Sequence, residues 1–215
     1  MRLIRWLAVA ATLGLSGIIV VNSAPYFTFR TDLEFLIEKA PLSSEKVWRC
    51  CFYTHVLGGI VCLVTAPFLF WDRLRERFPG LHRRLGRIYG TAVLGCAGPA
   101  GIFLAVHAKG GLAGQSAFLI LGLLWWGVTA RGVQTIVAGR AAAHRRWMIR
   151  SYSLALSAVT FRVYHLAFFW AGLANEPNYV LSLWLSLATS LIGGEIFLRR
   201  SAVDRRSLAW KGGVA

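Results

Sequence analysis

The sequence predicts an all-α integral membrane protein: a bundle of six transmembrane helices with both chain ends in the cytoplasm. Two observations predict this fold class. Of the 215 residues, 56% are apolar and only 15% are charged, whereas a soluble domain carries about 25% charged residues. The basic residues also lie in short blocks between long apolar stretches.

Six apolar stretches are long enough to cross the hydrocarbon core, which takes about 20 helical residues. Together they predict one transmembrane domain over residues 1–215, with spans two to five as a four-helix core. The predicted spans cover residues 4–24, 48–71, 85–106, 115–138, 147–172 and 179–198.

The distribution of arginine and lysine predicts the orientation. Cytoplasmic loops of membrane proteins are enriched in these residues, and here every second junction is strongly basic. This pattern predicts an N-in, C-in protein of the cell's inner (plasma) membrane. The basic residues are Arg2 and Arg5; Arg73, Arg75, Arg77, Arg83, Arg84 and Arg87; Arg140, Arg145, Arg146 and Arg150; and Arg199, Arg200, Arg205, Arg206 and Lys211.

The net charge of +15 is explained by these blocks better than by nucleic-acid binding, which we do not expect. Basic residues at a cytoplasmic membrane surface attract anionic lipid head groups. The lipid bilayer and those head groups are therefore the partners that the charge pattern predicts.

Two interpretations of the first span are open. Arg2 and Arg5 before an apolar run, with small residues at 22–24, are also typical of a cleaved signal peptide. Pro25 after the cleavage point and the length of the apolar run favour a retained span. In the loop that follows, the alternation around Phe35 predicts a short amphipathic helix on the outer face.

Two basic junctions resemble each other. Residues 82–89 and 144–152 both begin His-Arg-Arg at the start of a span and both reach a tyrosine after a further arginine. One interpretation is that spans two and three form a hairpin and that spans four and five are a second copy of it. Internal repeats of this kind are common in membrane proteins. The alternative is that basic residues gather independently at each cytoplasmic boundary.

Several short motifs resemble a bacterial membrane family, domain-of-unknown-function family 2306. The run from His144 to Tyr152 (His-Arg-Arg-Trp-Met-Ile-Arg-Ser-Tyr) is the most specific of them, and the resemblance covers residues 53–162. It implies a multi-pass membrane protein and supplies no activity. The other matching features are His55 with Gly58-Gly59, the segment from Leu81 to Tyr89, Gly110-Gly111 and Trp125.

Four of the five histidines form two pairs by depth. At 1.5 Å per helical residue, His55 lies roughly 24 Å from the cytoplasmic end of its span, and His165 roughly 22 Å from Arg150. His82 and His144 both lie at the cytoplasmic boundary. A two-haem b-type cytochrome needs imidazoles at two such levels, so His55 and His165 are candidate haem ligands. The alternative is that the boundary histidines only contact head groups.

Arg162 lies near the membrane centre, where an arginine costs at least about 2.5 kcal/mol. It therefore needs a partner, such as a haem propionate, a quinone oxygen, a substrate carboxylate or backbone carbonyls. Glu195 is expected to pair with Arg131, which lies at a similar depth, and this pairing leaves Arg162 for a ligand.

The leading functional hypothesis is a membrane electron-transfer protein that binds haem b through His55, His165, His82 and His144, with Arg162 at the site. The alternative is a non-enzymatic transporter or an assembly or scaffold protein with a polar cavity around Arg162. The sequence contains no recognisable nucleophile triad, phosphate loop or zinc-protease motif, so whether the protein is an enzyme is left open.

Overall fold

A computed structural model describes the backbone of residues 2–173 and 175–212 and the side chains of residues 10–173 and 176–200. Within these residues every regular element is helical, which confirms the all-α class. Among the predicted basic residues, the side chains of Arg2, Arg5, Arg205, Arg206 and Lys211 lie outside the described set.

The described residues form ten α-helices, joined by short turns and by two short 3₁₀ segments at Ala24–Thr28 and Leu42–Ser44. The α-helices are α1 (Arg2–Ser23), α2 (Glu34–Glu38), α3 (Lys46–Leu69), α4 (Asp72–Arg77), α5 (Pro79–Thr91), α6 (Gly98–Ala105), α7 (Gly111–Val137), α8 (Ala141–Ala155), α9 (Ser157–Trp170) and α10 (Asn175–Gly212).

Five helical segments in the described residues are long and apolar enough to cross a membrane. They are Ala10–Thr28, Lys46–Leu69, Pro79–Ala105, Gly111–Val137 and Glu176–Arg200. They coincide with predicted spans one, two, three, four and six to within several residues. Helix length and apolar composition therefore support five of the six predicted spans.

The predicted fifth span, residues 147–172, is divided into α8 and α9. Leu156 keeps helical torsions, φ −69° and ψ −10°, and its N–H donates to the Tyr152 carbonyl at 2.9 Å. The next turn tightens, because the N–H of Val159 donates to the carbonyl of Leu156, three residues back, at 2.9 Å. A sixth span is therefore still a prediction.

A π-helical segment, Ala92–Ala97, interrupts the third span between α5 and α6. It ends just before Pro99, which has no N–H to donate and whose ring clashes with a regular helical turn. The N–H of Gly98 reaches back five residues to the carbonyl of Val93. The wider turn accommodates the proline without ending the helix.

The packed centre lies among the predicted spans two to five, and α10 joins it. Buried residues from α3, α5, the π segment, α7, α8 and α10 form one cluster, and α10 packs against both α8 and α9. The first helix is more peripheral, because Ile19 reaches only Leu63 and Val159 in a small separate cluster. The core is thus wider than the predicted four helices.

The two ends of the bundle differ in chemistry. The capped end carries α2, the 3₁₀ turns and the loop between α6 and α7. The basic end carries α4, the turn between α7 and α8, and the arginines at the end of the described part of α10.

Gly58 and Gly59 give a matched pair of substitutions. A Cβ at Gly58 would lie 2.9 Å from the Cβ of Ala97 and 3.0 Å from its backbone nitrogen, whereas a Cβ at Gly59 meets nothing within 4 Å. We expect Gly58→Ala to overpack the contact between α3 and the π segment, at a cost of about 1–3 kcal/mol. The melting temperature in detergent should fall by roughly 2–10 °C.

Gly59→Ala is the control for this prediction. It should leave the melting temperature unchanged or raise it, because alanine favours a helix over glycine. Equal melting temperatures for the two variants would show that α3 does not approach the π segment as closely as described.

Candidate functional site

A cavity of about 490 Å³ lies between the helices and extends towards the capped end. Its wall is mainly apolar and takes residues from α1, α2, α3, the π segment, α6 to α10 and the loop before α7. Three of its polar side chains lie among these apolar groups, namely His55, Arg162 and Tyr179. This combination is typical of a site for a largely apolar ligand with a polar head group.

Arg162 is an exposed cation on the wall of this cavity, which Lys39 and Lys109 of the capped end also line. Its Nη1 donates to the Ala158 carbonyl, one turn back in α9, at 2.7 Å. The phenols of Tyr26 and Tyr179 are the groups close enough to interact with it electrostatically. Within the described residues no carboxylate forms an ion pair with Arg162, so most of its hydrogen-bonding capacity remains available to a ligand.

His55 is fixed by the π segment. Its Nδ1 lies 2.8 Å from the carbonyl oxygen of Ala97, and a carbonyl can only accept, so Nδ1 carries the proton. In the neutral ring, Nε2 is therefore an acceptor. The ring also packs against Gly101, where a Cβ would lie 2.7 Å from two ring atoms.

The second donor to the π segment is Trp126 of α7. Its Nε1 donates to the carbonyl of Leu94 at 3.0 Å. Pro99, five residues further on, has no N–H to give to that carbonyl in the wider turn. The side chain of Trp126 therefore satisfies a carbonyl for which Pro99 supplies no donor, and His55 adds a side-chain donor at the last carbonyl of the segment.

His165 has different surroundings from His55. Its Nδ1 lies 3.0 Å from Oδ1 of the buried Asn178, whose Nδ2 donates back to the carbonyl of His165 at 3.0 Å. Its ring stacks on Phe161 at 5.6 Å between centroids. His165 is not among the residues that line the cavity. The structure thus does not bring His55 and His165 into one ligand-binding space.

His82 and His144 do come together, at the basic end. They are close enough to interact electrostatically. Nδ1 of His144 donates to the carbonyl of Gly132 at 2.8 Å, while Nδ1 of His82 is buried without a partner among the described residues. No cluster of three or more histidine, cysteine or acidic side chains suited to a metal occurs in the described part of the chain.

The expected pair of Arg131 and Glu195 is replaced by another. Arg150 binds both carboxylate oxygens of Glu195, with Nε at 2.5 Å and Nη2 at 3.1 Å. Arg131 instead donates to Oε1 of Gln134 at 3.2 Å. Depth alone predicted the wrong arginine, because α10 packs against α8 and Glu195 reaches the arginine on that helix.

The run from His144 to Tyr152 holds α8 against its neighbours. A Cβ at Gly132 of α7 would lie 2.6 Å from Sδ of Met148, and Tyr152 stacks on Phe70 at 5.2 Å between centroids. The guanidinium of Arg150 lies over the ring of Trp147 at 4.9 Å. The most specific part of the sequence pattern therefore serves packing between helices.

Ser151, in the same run, joins three helices through hydroxyl groups. Its Oγ lies 2.8 Å from the hydroxyl of Tyr89 and 2.7 Å from Oγ1 of Thr129, which donates to the carbonyl of Trp125 at 2.7 Å. All three hydroxyls are buried. An order of donation from Tyr89 to Ser151 to Thr129 satisfies each of them.

The pair Gly110-Gly111 has a structural role as well. Gly110 has φ +83° and Gly111 has φ +55°, in the left-handed region that side chains other than glycine rarely adopt. A Cβ at Gly110 would also lie 2.5 Å from Val180 of α10. These glycines set the turn that starts α7 at the capped end.

The capped end is closed by aromatic and charged contacts. The predicted amphipathic helix is present as α2, and its Leu36 is buried against Trp48 and Phe52. Nζ of Lys39 donates to the carbonyl of His107 at 2.6 Å, and Glu38 pairs with Lys109. Burial lowers the pKa of Lys39 below its usual value. The segment after α1 is thereby fastened across the mouth of the cavity.

The structure therefore defines a helical membrane protein with a central cavity. A family described as predicted membrane protein (DUF2306) matches residues 52–198, and the chain belongs to this family. The match covers α3 from Phe52 onwards, α4 to α9 and most of α10, and hence most of the cavity lining and the buried hydroxyl network. Searches among curated proteins and among solved structures found no match.

Sequence reasoning identified His55 and Arg162 as candidate site residues but missed Tyr179, Asn178 and the π segment. Pro99 was the available signal for the π segment, because a proline within an apolar span frees backbone carbonyls. Tyr179 lies at the edge of a predicted span, where aromatic residues are common for other reasons.

A double-mutant cycle tests the pairing of Glu195. Arg150→Gln and Glu195→Gln should each lower the melting temperature in detergent, and Arg150→Gln by more because it also loses the contact with Trp147. The double variant should be less destabilised than the sum of the two, with a coupling of about 0.5–1 kcal/mol for a partly exposed pair. Arg131→Gln combined with Glu195→Gln should be additive. Coupling in that second cycle instead would contradict the observed pairing.

Proposed function

We propose that this protein is a membrane carrier that binds a lipid-soluble acid in the central cavity, with the acid's head group held by Arg162. The observation that carries the proposal is a guanidinium that lines an otherwise largely apolar cavity without a carboxylate partner among the described residues. A non-enzymatic transporter with a polar cavity around Arg162 is the function that this arrangement favours.

The charge of Arg162 supports an anionic ligand. An unpaired charge inside a membrane protein is costly, and an arginine there pairs with an anion or backbone oxygens, or faces a watery cavity. A carboxylate can accept two parallel hydrogen bonds from a guanidinium. Binding of a monoanion would therefore neutralise the charge of Arg162 and satisfy the donors that Ala158 leaves free.

The remaining wall supports a ligand with an apolar tail. Phe52, Phe161 and Leu183 line the cavity together with small residues from α3 and α6. An apolar tail in this space gains from burial away from water at about 25 cal/mol per Å². A soluble, fully charged metabolite would gain nothing from these side chains.

Haem b, the leading hypothesis from histidine spacing, is less well supported by this arrangement. One observation favours it: a histidine that donates Nδ1–H to a carbonyl, as His55 does, is typical of metal ligands. The second ligand is not in place, because His165 is held by Asn178 outside the cavity lining. Haem binding stays a prediction that a spectrum of the purified protein tests.

We further propose that the basic end lies in the cytoplasm, next to anionic head groups of the inner membrane. Arginines from three separate described parts of the chain occur at this end, and Arg2 and Arg5 precede the first span in the sequence, while the loops of the capped end mix acidic and basic residues. A membrane potential and anionic lipids both favour this orientation for basic segments.

Reporter fusions test this orientation. A reporter inserted after Arg77 and one inserted after Arg140 should both give a cytoplasmic signal, and one inserted near Lys109 should give an external signal. An external signal at either arginine would overturn the threading and the proposed orientation of the cavity.

A fluorescence experiment tests the acid site. Trp48 and Trp125 line the cavity, and bromine quenches indole fluorescence on contact. We expect 9,10-dibromostearic acid to quench the purified protein saturably in detergent. Arg162→Gln should weaken its binding at least about tenfold, the usual loss for a hydrogen bond to a charged group, and Arg162→Lys should weaken it less.

Arg131→Gln is the matched control, because Arg131 does not line the cavity and contacts Gln134. The methyl ester of the same acid corrects for quenching by probe that merely dissolves in the micelle. Equal affinity of the wild type and Arg162→Gln for the acid, or of the wild type for acid and ester, would refute the proposal. A reduced-minus-oxidised α-band in the purified protein would favour haem instead.

A further inference from the structure

The unused acceptor on His55 adds a second polar contact to the cavity. Nδ1 is committed to the Ala97 carbonyl at 2.8 Å, and no described residue forms a hydrogen bond with Nε2. The ring cannot turn freely, because Gly101 leaves it a close-fitting slot. His55 therefore offers one acceptor, in a fixed position, on the cavity wall formed by α3.

His55 and Arg162 lie at the same level of the bundle. His55 is nine residues from Lys46, where α3 starts at the capped end, and Arg162 is eight residues before Trp170, where α9 ends there. At 1.5 Å per residue the two lie roughly 13 Å and 12 Å from that end. Both line the same cavity, one on α3 and the other on α9.

We propose that the ligand of this cavity is a hydroxylated lipid-soluble acid, whose carboxylate binds Arg162 and whose hydroxyl donates a hydrogen bond to Nε2 of His55. This inference rests on the proposed function and adds to it the identity of the second polar group. The ligand class is thus an acyl-chain acid that carries a hydrogen-bond donor in addition to its charge.

The two residues select complementary groups on a ligand. Arg162 only donates, and therefore selects an anion or another acceptor. His55, with its proton fixed on Nδ1, accepts at Nε2 and therefore selects a donor. The neutral ring, with its proton on Nδ1, leaves Nε2 free to accept.

Selectivity arises because an acceptor left without a donor in an apolar site is unfavourable. An unsubstituted acid would leave Nε2 unsatisfied or bound to water, whereas the hydroxy acid satisfies it. The same logic gives strong discrimination wherever a site contains a buried polar group that only the correct ligand can pair.

Competition with 9,10-dibromostearic acid tests this inference. The competitors are dodecanoate and its 2-hydroxy, 3-hydroxy and 12-hydroxy derivatives. In the wild type we expect at least one hydroxy acid to compete about three- to tenfold better than dodecanoate, the usual gain from one neutral hydrogen bond. The methoxy ether of that acid should lose the gain, since it has no proton to donate.

In His55→Phe the ratio of hydroxy-acid affinity to dodecanoate affinity should fall to about one, whatever the affinity for dodecanoate itself. His55→Gln should keep part of the preference, because its amide can donate to Ala97 and accept from the ligand. Wild-type protein that binds dodecanoate but prefers none of the hydroxy acids would overturn this inference alone, as would an equally effective methoxy ether or a preference that persists in His55→Phe.

If the proposed function itself is wrong, the experiment gives a different result. In that case neither dodecanoate nor any hydroxy acid displaces the probe from wild-type protein, and Arg162→Gln has no effect. The comparison between hydroxy acid and methoxy ether needs wild-type protein only, so it decides the inference even if His55→Phe fails to fold.

Discussion

Backbone hydrogen bonding around Pro99 is the constraint on which the centre of this protein depends. Inside a membrane every backbone polar group needs a partner from the protein, and a proline in a span removes one donor. The chain adopts a π segment there, and His55 and Trp126 donate to the carbonyls of Ala97 and Leu94. The tautomer and position of His55 follow from this arrangement, and so does the place where α3 approaches the segment most closely, at Gly58.

The residues that support the helices and the residues that line the cavity are largely separate. The run from His144 to Tyr152 places Ser151 in a buried hydroxyl chain and Arg150 on Glu195. Arg162 and His55 contact backbone carbonyls in their own or the next helix and keep polar atoms for the cavity. The residues that make the family recognisable are therefore packing residues. They identify the family but do not indicate which ligand the cavity binds.

The two resembling junctions face each other within the fold. Tyr89 and Ser151, which hydrogen-bond, are 62 residues apart, and His82 and His144 have the same separation (144 minus 82). Leu156 lies between α8 and α9. The position 62 residues before it is residue 94, which lies within the π segment. Each hairpin thus has an irregularity at the corresponding place in its second helix. This shared layout favours duplication over independent gathering of basic residues at two boundaries.

The sequence by itself determined the helical class, the family and the approximate positions of most spans, because apolar length and charge blocks are local properties that a bilayer acts on directly. It also identified Arg162 as a charge in need of a partner. Only the tertiary structure decided which groups meet: Glu195 with Arg150 and not Arg131, His165 with Asn178, and His55 with Ala97. Depth along a helix can be read from residue number, but the direction in which each helix turns its side chains depends on packing against all the others.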